Sequence, residues 1–574
     1  MLKFLPALCT LLLVTASSFG QPSIKNIWNT RDTIGIYDKF EARILIEATF
    51  ENPFDPEDID LQATFTSPGG KTWTLPGFYT TSGWAGWMIR FSPNETGIWN
   101  YKVSVKDRKG KAESTPGQFT TIKSNYKGPL KISPNKRFLQ HADGAPYYGV
   151  GLWYNGVVQA EVLDELKALG VNYISNFITP IETWASGVGR YDQLICDRID
   201  NMLGLLEERD MQLSLNIWFH SFLSETVWGG GNVRWYANPY ATVTDAKNFY
   251  SSEEAWKYQE KMYRYMIARW SYSRSLAIWF VVDEVNGTDG WVSGDSLGAA
   301  NWGKKIHEYF KQNDPWQHLT TGTRSGGINE WWQEGYEIFD MPGREIYEAQ
   351  GFPIITDGNI KSSEIHPLTS SYRNYAGQVQ KLWNGFNKPV LIPETGWDHT
   401  FYEMTMPGYQ AQFHNAIWVS LACGAAMSPF WWSYSRALND NVVTNQLLSL
   451  RKFTDQIPFS KLTNVSSQKI VNSDGDAYAI GSDQLIYGWV VNTQTDLYGK
   501  KITLPDLQNG TYKLRLYHPW RGSFIEDTAR EVEVKDGILT FSMPEMQIKE
   551  SHAYYIGQDI AFILEKPMGK NTKK

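Results

Sequence analysis

The sequence predicts a multidomain chain in which a central (β/α)8 TIM barrel is flanked by N-terminal and C-terminal antiparallel β-sandwiches. Three observations carry that prediction. Apolar and polar residues alternate with strand period at both ends of the chain. Between about 145 and 455, short apolar runs alternate with amphipathic helices. The length, 574 residues, is more than one ordinary domain holds, and 42% hydrophobic with 20% charged residues suits folded domains with large cores.

The elements follow in order. Residues 1–20 carry one positive charge at Lys3, an apolar run to Val14, and small residues at Ala16, Ser17, Ser18 and Gly20. This is the pattern of a secretory signal peptide, and the run is short for a membrane anchor. Cys9 lies inside the run behind Leu8, unlike a lipid-carrying cysteine. The protein is therefore expected to be secreted or periplasmic, with no transmembrane segment after cleavage. Cys196 and Cys423 then remain, far apart and each in a helical pattern. They are expected to be buried thiols rather than a disulfide.

Residues 21–124 form the first expected sandwich. The segments 43–50 (RILIEATF), 87–91 and 99–105 (WNYKVSV) place apolar groups at every second position, with turn signals such as Ser67-Pro68-Gly69-Gly70 between them. No helix is expected there.

The barrel is expected over 125–456. Its strands are expected at 147–153, 172–177, 212–218, 276–282, 318–322, 337–341, 389–393 and 427–432, with helices such as 161–169 and 410–422 between them. A doubly wound sheet would need a glycine-rich phosphate loop after the first strand. Gly151-Leu152-Trp153-Tyr154-Asn155-Gly156 lacks the GxGxxG spacing. Residues 457–574 return to strand alternation, as at 485–492, 511–517 and 537–543, and form the second expected sandwich with a polar tail.

Charge and composition narrow the function. The balance of 54 basic and 61 acidic residues, net −7, argues against a nucleic-acid partner. The 25 Trp, 31 Tyr and 27 Phe offer flat faces of the kind that stack on sugar rings. A TIM barrel carries its chemistry where strands end at the C-terminal face. After the fourth strand comes Asp283-Glu284-Val285-Asn286-Gly287, and the seventh ends in Pro393-Glu394-Thr395-Gly396-Trp397. Two carboxyls facing across a barrel mouth are the equipment of glycoside hydrolysis: one protonates the leaving oxygen, the other attacks or activates water. Retention needs roughly 5–5.5 Å between them and inversion more. The sequence does not give that distance.

Several segments resemble clan A glycoside hydrolases, in particular secreted bacterial enzymes with a sandwich before the barrel. They are 264–286 (RYMIARWSYSRSLAIWFVVDEVN), 87–105 (WMIRFSPNETGIWNYKVSV), 128–148 (GPLKISPNKRFLQHADGAPYY) and 413–434 (FHNAIWVSLACGAAMSPFWWSY). By matching position the resemblance implies Glu284 as acid/base, Glu394 as nucleophile and a retaining mechanism. One departure stands out. The clan usually carries Asn before the acid/base, holding the sugar 2-hydroxyl, and here that residue is Asp283. Its charge is expected to raise the pKa of Glu284.

Other rim positions are candidate sugar contacts: His220 after strand three, Tyr347 after strand six, Trp153 and Asn155 after strand one, and Trp431 and Trp432 at strand eight. Consecutive strand residues point to opposite faces, so only one of the two tryptophans can floor the site. Trp432, nearer the strand's end, is the better placed. Arg190, Arg234, Arg324, Arg344 and Arg436 lie in or near rim loops, where convergence would suit an anionic sugar. Asn472-Ser473-Asp474-Gly475-Asp476 lacks the ligands of a full calcium loop. No zinc pattern or GxSxG elbow occurs, and no metal or cofactor is expected. The expected activity is β-glycoside hydrolysis on a plant or algal polysaccharide or its oligosaccharides. The alternative is a catalytically silent carbohydrate-binding protein on the same barrel.

Overall fold

The computed structural model describes residues 20–177, 180–294, 296–325, 331–347, 368–396, 407–432, 438, 441–472, 475–492, 497–525, 529–545 and 558–566. Residues 1–19, expected as most of a signal peptide, lie outside them, as does Arg436.

The N-terminal region folds as two antiparallel-dominated sheets. One orders Ser23–Asn29, Phe40–Glu47, Trp87–Phe91 and Phe78–Tyr79. The other orders Thr33–Gly35, Gly117–Ile122, Gly97–Asp107, Ile59–Thr66 and Thr72–Pro76, with Gly110–Glu113 paired to Gly97–Asp107. Alternation dictates which faces meet. Trp99, Tyr101, Val103 and Val105 turn inward, and so do Phe40, Ala42 and Ile44 from the opposite sheet. These side chains form one core. The strand expected at 43–50 begins three residues earlier, because Phe40 and Ala42 carry the inward alternation.

The central region holds six parallel strands in chain order: Gly151–Trp153, Tyr173–Phe177, Gln212–Phe219, Leu276–Asp283, Leu319–Arg324 and Gly343–Arg344. Parallel bridges Gly343↔Leu391, Val390↔Ala425, Gly149↔Met427 and Leu152↔Trp431 continue from the sixth strand through two further segments and back to the first. Helices Ala160–Ala168, Gln193–Glu207, Glu253–Trp270, Ser296–Asn313, Leu368–Gly385 and Pro407–Ala422 lie between them. Every residue of Leu276–Asp283 is buried, as expected of a parallel strand covered on both faces.

Two expected strands are corrected. Residues 146–147 pair with 139–140 in a small antiparallel sheet, so the first parallel strand starts at Gly151. The run expected as strand six is occupied in part by the helix Gln333–Ile338, and the strand itself follows Pro342 at Gly343–Arg344.

The C-terminal region has a sheet ordered Ser466–Gln468, Asp476–Gly481, Leu485–Asn492, Gln558–Glu565, Gly510–His518 and Ser523–Phe524, with Arg530–Val534 paired to Gly510–His518. A smaller sheet of Val471–Asn472, Lys501–Leu504 and Leu539–Ser542 packs into the same core. Buried polar bonds dock this region. His414 on Pro407–Ala422 meets the Asp559 carboxylate at 2.8 Å, and Trp489 Nε1 donates to the same oxygen at 2.6 Å. Cys196 and Cys423 are free and buried. Among the described residues no helix is long and apolar enough to cross a membrane.

Candidate active site

The parallel strands run in one direction, so the residues at their C-terminal ends gather on one rim. Strand Leu276–Asp283 delivers Asp283 as its last residue. Glu284 follows in the left-handed region, with φ 47° and ψ 56°. That turn aims consecutive acids differently. Asp283 is 1% exposed and faces inward, and the Glu284 side chain keeps 14% exposure beside His220. The Glu284 amide donates to Thr323 Oγ1 at 2.9 Å on the neighbouring strand, which fixes the turn.

His220 sits just past strand Gln212–Phe219. Its Nδ1 lies 2.9 Å from Glu284 Oε2 and 3.9 Å from Asp283 Oδ2, an ionic approach rather than an aligned hydrogen bond to either. Nε2 lies 3.3 Å from Asn232 Oδ1. Burial opposes a charge on this imidazole, but the two carboxylates outweigh it and lift its pKa to about 10. The carboxyls respond in opposite directions. Burial pushes Glu284 up, and His220 more than reverses this, so Glu284 lies below the usual range. Asp283 is raised by burial and by the charge of Glu284. The expectation that Asp283 would raise Glu284 is therefore corrected: a histidine 64 positions earlier in the chain decides the sign.

Glu394 is buried on the segment after Leu391, and its oxygens fall within 4.8 Å of those of Asp283 and Glu345. His220, Asp283, Glu284 and Glu394 converge. Trp153 is buried, stacks on Phe177 at 4.3 Å and donates Nε1–H to the Pro393 carbonyl at 2.6 Å, which braces the residue before Glu394. Trp432 is partly exposed, 5.5 Å from Trp153 and 5.4 Å from Phe177, whereas Trp431 is buried against Phe413 at 4.8 Å. The side-chain alternation expected for this pair is what the packing has. Asn155 is half-buried on the same rim, with its Oδ1 buried and without a hydrogen-bond partner. Tyr347 pairs through its backbone with Gly396, and its side chain lies outside the described residues. The arginines do not converge. Arg190 and Arg234 are exposed, and Arg344 is buried with its Nε on Gln378. Asp476 of the acidic turn accepts from Tyr372 and Arg373, each at 2.6 Å.

Two residues at the rim escaped the sequence reading. Glu345 lies between Gly343–Arg344 and Ile346–Tyr347, fully buried, and takes a hydrogen bond from the Thr323 hydroxyl. Burial and the charges of Asp283, Glu284 and Glu394 hold its pKa well above the carboxylate range. Trp228 stands 49% exposed with its ring 5.0 Å from His220, at φ 61°. Its ring lies so close to Gly287 that a Cβ there would meet it at 2.5 Å. A lone Trp before Gly229-Gly230-Gly231 was the available signal. The oxygens of Asp283, Glu345 and Glu394, and the ligand atoms of His220, Asp283 and Glu284, are also spaced closely enough to hold a cation. A cleft of about 1320 Å3 opens at the other end of the strands, near Asn172, Gln212 and Ser275, and contains none of these carboxyls.

Residues 33–106 match the model of a domain of unknown function, DUF5060. No curated protein matches the chain in sequence. Among solved structures, a Bacteroides vulgatus protein provisionally named as a glycoside hydrolase aligns over 93% of this chain and 100% of its own, at 17% identity and TM-score 0.62. A family 5 mannosidase from Rhizomucor miehei aligns over 58% of this chain and 100% of its own, at 13% identity and TM-score 0.44. A family 39 glycoside hydrolase from Bacteroides cellulosilyticus aligns over 94% and 100%, at 12% identity and TM-score 0.40. The first likeness shows that this chain shares its fold with that Bacteroides vulgatus protein.

Proposed function

We propose that the protein is a secreted or periplasmic retaining β-glycoside hydrolase of the clan A kind, a (β/α)8 barrel between two β-sandwiches. Its substrate is a plant or algal polysaccharide or the oligosaccharides derived from it. The observation that carries this reading is that Glu394 and Glu345 cluster with Asp283, and His220 and Glu284 with the same Asp283, at the C-terminal ends of parallel strands, in a rim edged by Trp432 and Trp228.

In this reading Glu394 attacks the anomeric carbon and Glu284 serves the leaving oxygen and then the incoming water. The proton for the first step rests on His220, 2.9 Å from Glu284. The His220–Glu284 pair together holds the one proton that departure of the leaving group requires. Asp283 accepts a hydrogen bond from a sugar hydroxyl, where an amide could also donate.

The test is release of reducing ends from neutral and acidic plant and algal polysaccharides by the mature chain, beside Glu394→Gln. Release by the parent and none by the variant is expected. Equal release by both would sink the assignment of Glu394. A second reading, a carbohydrate-binding protein without turnover, is favoured by Asp283 before Glu284 and by an acid/base that is ionised in the free site. Retention on a polysaccharide column without product would select it.

A further inference from the structure

Glu345 is the acid of the rim to which the proposed chemistry gives no role. We propose that Glu345 is a positioning residue that carries its proton at working pH and donates it to the Asp283 carboxylate, so that the acids of the rim pack together without a full set of charges. The positioning role rests on the glycosidase reading; the proton does not.

The geometry leads there. Glu345 is 0% exposed and Asp283 1%. Their oxygens and those of Glu394 all lie within 4.8 Å of one another. The Thr323 hydroxyl has one proton, and the structure commits it: its oxygen accepts from the Glu284 amide and its hydrogen goes to Glu345 Oε1. Among the described residues, the second oxygen, Oε2, and Asp283 Oδ1 have no hydrogen-bond donor. Asp283 and Glu284 both act on Glu345 electrostatically. Two buried carboxylates in contact repel, and one proton turns one of them into a donor for the other. The neighbouring charges agree. Asp283 and Glu284 face Glu345 from the fourth strand and Glu394 from the segment after Leu391, all negative. His220 serves Asp283 and Glu284. Arg344 turns to Gln378, Arg324 lies over the Trp291 ring at 5.7 Å, and Tyr336 is close enough to feel both arginines and Glu345. A neutral carboxylic acid used as a donor inside an acidic site is chemically sound.

The test compares the full mature chain with Glu345→Gln and Glu345→Ala. Glutamine copies the shape and neutrality of the protonated acid: its carbonyl accepts from Thr323 and its amide donates to Asp283. Glu345→Gln is expected to fold and to keep kcat within about threefold of the parent, and Glu345→Ala to lose at least about tenfold. Infrared spectra of the parent at pH 7 should contain a protonated-carboxyl C=O band that is missing from Glu345→Gln. As pH rises towards 10 the parent's thermal midpoint should fall relative to Glu345→Gln, because a group with a raised folded pKa loses its contribution as it ionises. A Gln variant that is unfolded at pH 7, or as inactive as Glu394→Gln, overturns the proposal. So does an unchanged infrared band. A thermal midpoint that Ca2+ or Mn2+ raises in the parent but not in Glu345→Gln also overturns it, since a cation would then occupy the proton's place. If the parent cleaves no glycan, the infrared and thermal measurements still decide the protonation.

Discussion

His220 Nδ1 lies 2.9 Å from Glu284 Oε2, across the gap between the third and fourth parallel strands. This contact makes the free site an imidazolium–carboxylate pair rather than a protonated glutamic acid. Removing the imidazole returns Glu284 to its other neighbours, and the proton must then reside on Glu284 itself. For His220→Asn the alkaline limb of kcat/KM should move to lower pH, away from the value near 10 set by the histidine. Turnover at pH 7 should fall by about a hundredfold, at the lower end of what proton transfer contributes. A pH profile of the variant on the best substrate checks this. An unmoved alkaline limb would show that the proton is not held by the pair.

Trp228 is bulky, half exposed and left-handed, a conformation that costs a non-glycine residue about 1 kcal/mol. Its loop is held by Asp289, which accepts from the amide of Thr226 at 3.0 Å. On the proposed reading the ring is a platform for a sugar next to the bond being cut. Trp228→Gly removes the platform and relieves the backbone at once. KM for an oligosaccharide should rise about tenfold with kcat within about twofold, and the thermal midpoint should hold or increase. Steady-state kinetics with oligosaccharides of increasing length, beside a melting curve, separate the platform role from a structural one.

What the sequence disclosed and what it hid have physical causes. The fourth strand was legible because seven apolar residues in a row, Leu276 to Val282, run into two acids, the pattern of a covered parallel strand that ends at a polar rim. Strand alternation allowed only one of Trp431 and Trp432 to face the site, and nearness to the strand's end pointed to Trp432. The sixth strand was hidden because Gly343 and Arg344 carry no strand signature, while the apolar residues Tyr336, Ile338, Phe339 and Met341 just before them belong to a short helix and the turn after it. Glu345 was lost with that strand. The protonation of Glu284 was out of reach for another reason. It depends on a histidine brought close by a 3-10 turn after the third strand, and no local spacing encodes that approach.

Glu182, in the loop after the second strand, is 1% exposed and accepts the Gly189 amide at 2.6 Å. Burial raises its pKa from 4.5 to about 8, against that hydrogen bond. A raised folded pKa means the full contribution to stability is present below about pH 4.5 and is lost as pH climbs through about 8. Within that window the loss approaches about 1.4 kcal/mol per pH unit. Glu182→Gln cannot ionise. Its thermal midpoint should match the parent near pH 4.5 and exceed it by several degrees at pH 8. Melting curves across that range test the sign. A parent curve parallel to the variant's would place the carboxyl elsewhere.

Asp200 joins the N-terminal sheets to the central region. Arg90, on strand Trp87–Phe91, reaches it with two nitrogens at 2.8 and 3.0 Å. Arg269 on helix Glu253–Trp270 adds a bond at 2.9 Å, and Trp270 Nε1 another at 2.8 Å. Burial works against the charge, yet the two guanidiniums hold Asp200 down at about 2. A lowered folded pKa contributes stability above the ordinary value of 3.8 and loses it as pH falls through about 2. Asp200→Asn leaves two buried guanidiniums facing a neutral amide, and breaking a buried pair from one side costs about 3–5 kcal/mol. Asp197 also binds Arg269 but is 38% exposed, so Asp197→Asn should cost less than about 1 kcal/mol. Urea unfolding of both variants at pH 7 separates the two costs. Near pH 2 the gap between Asp200→Asn and the parent should close, because the parent's own carboxyl is then taking up its proton.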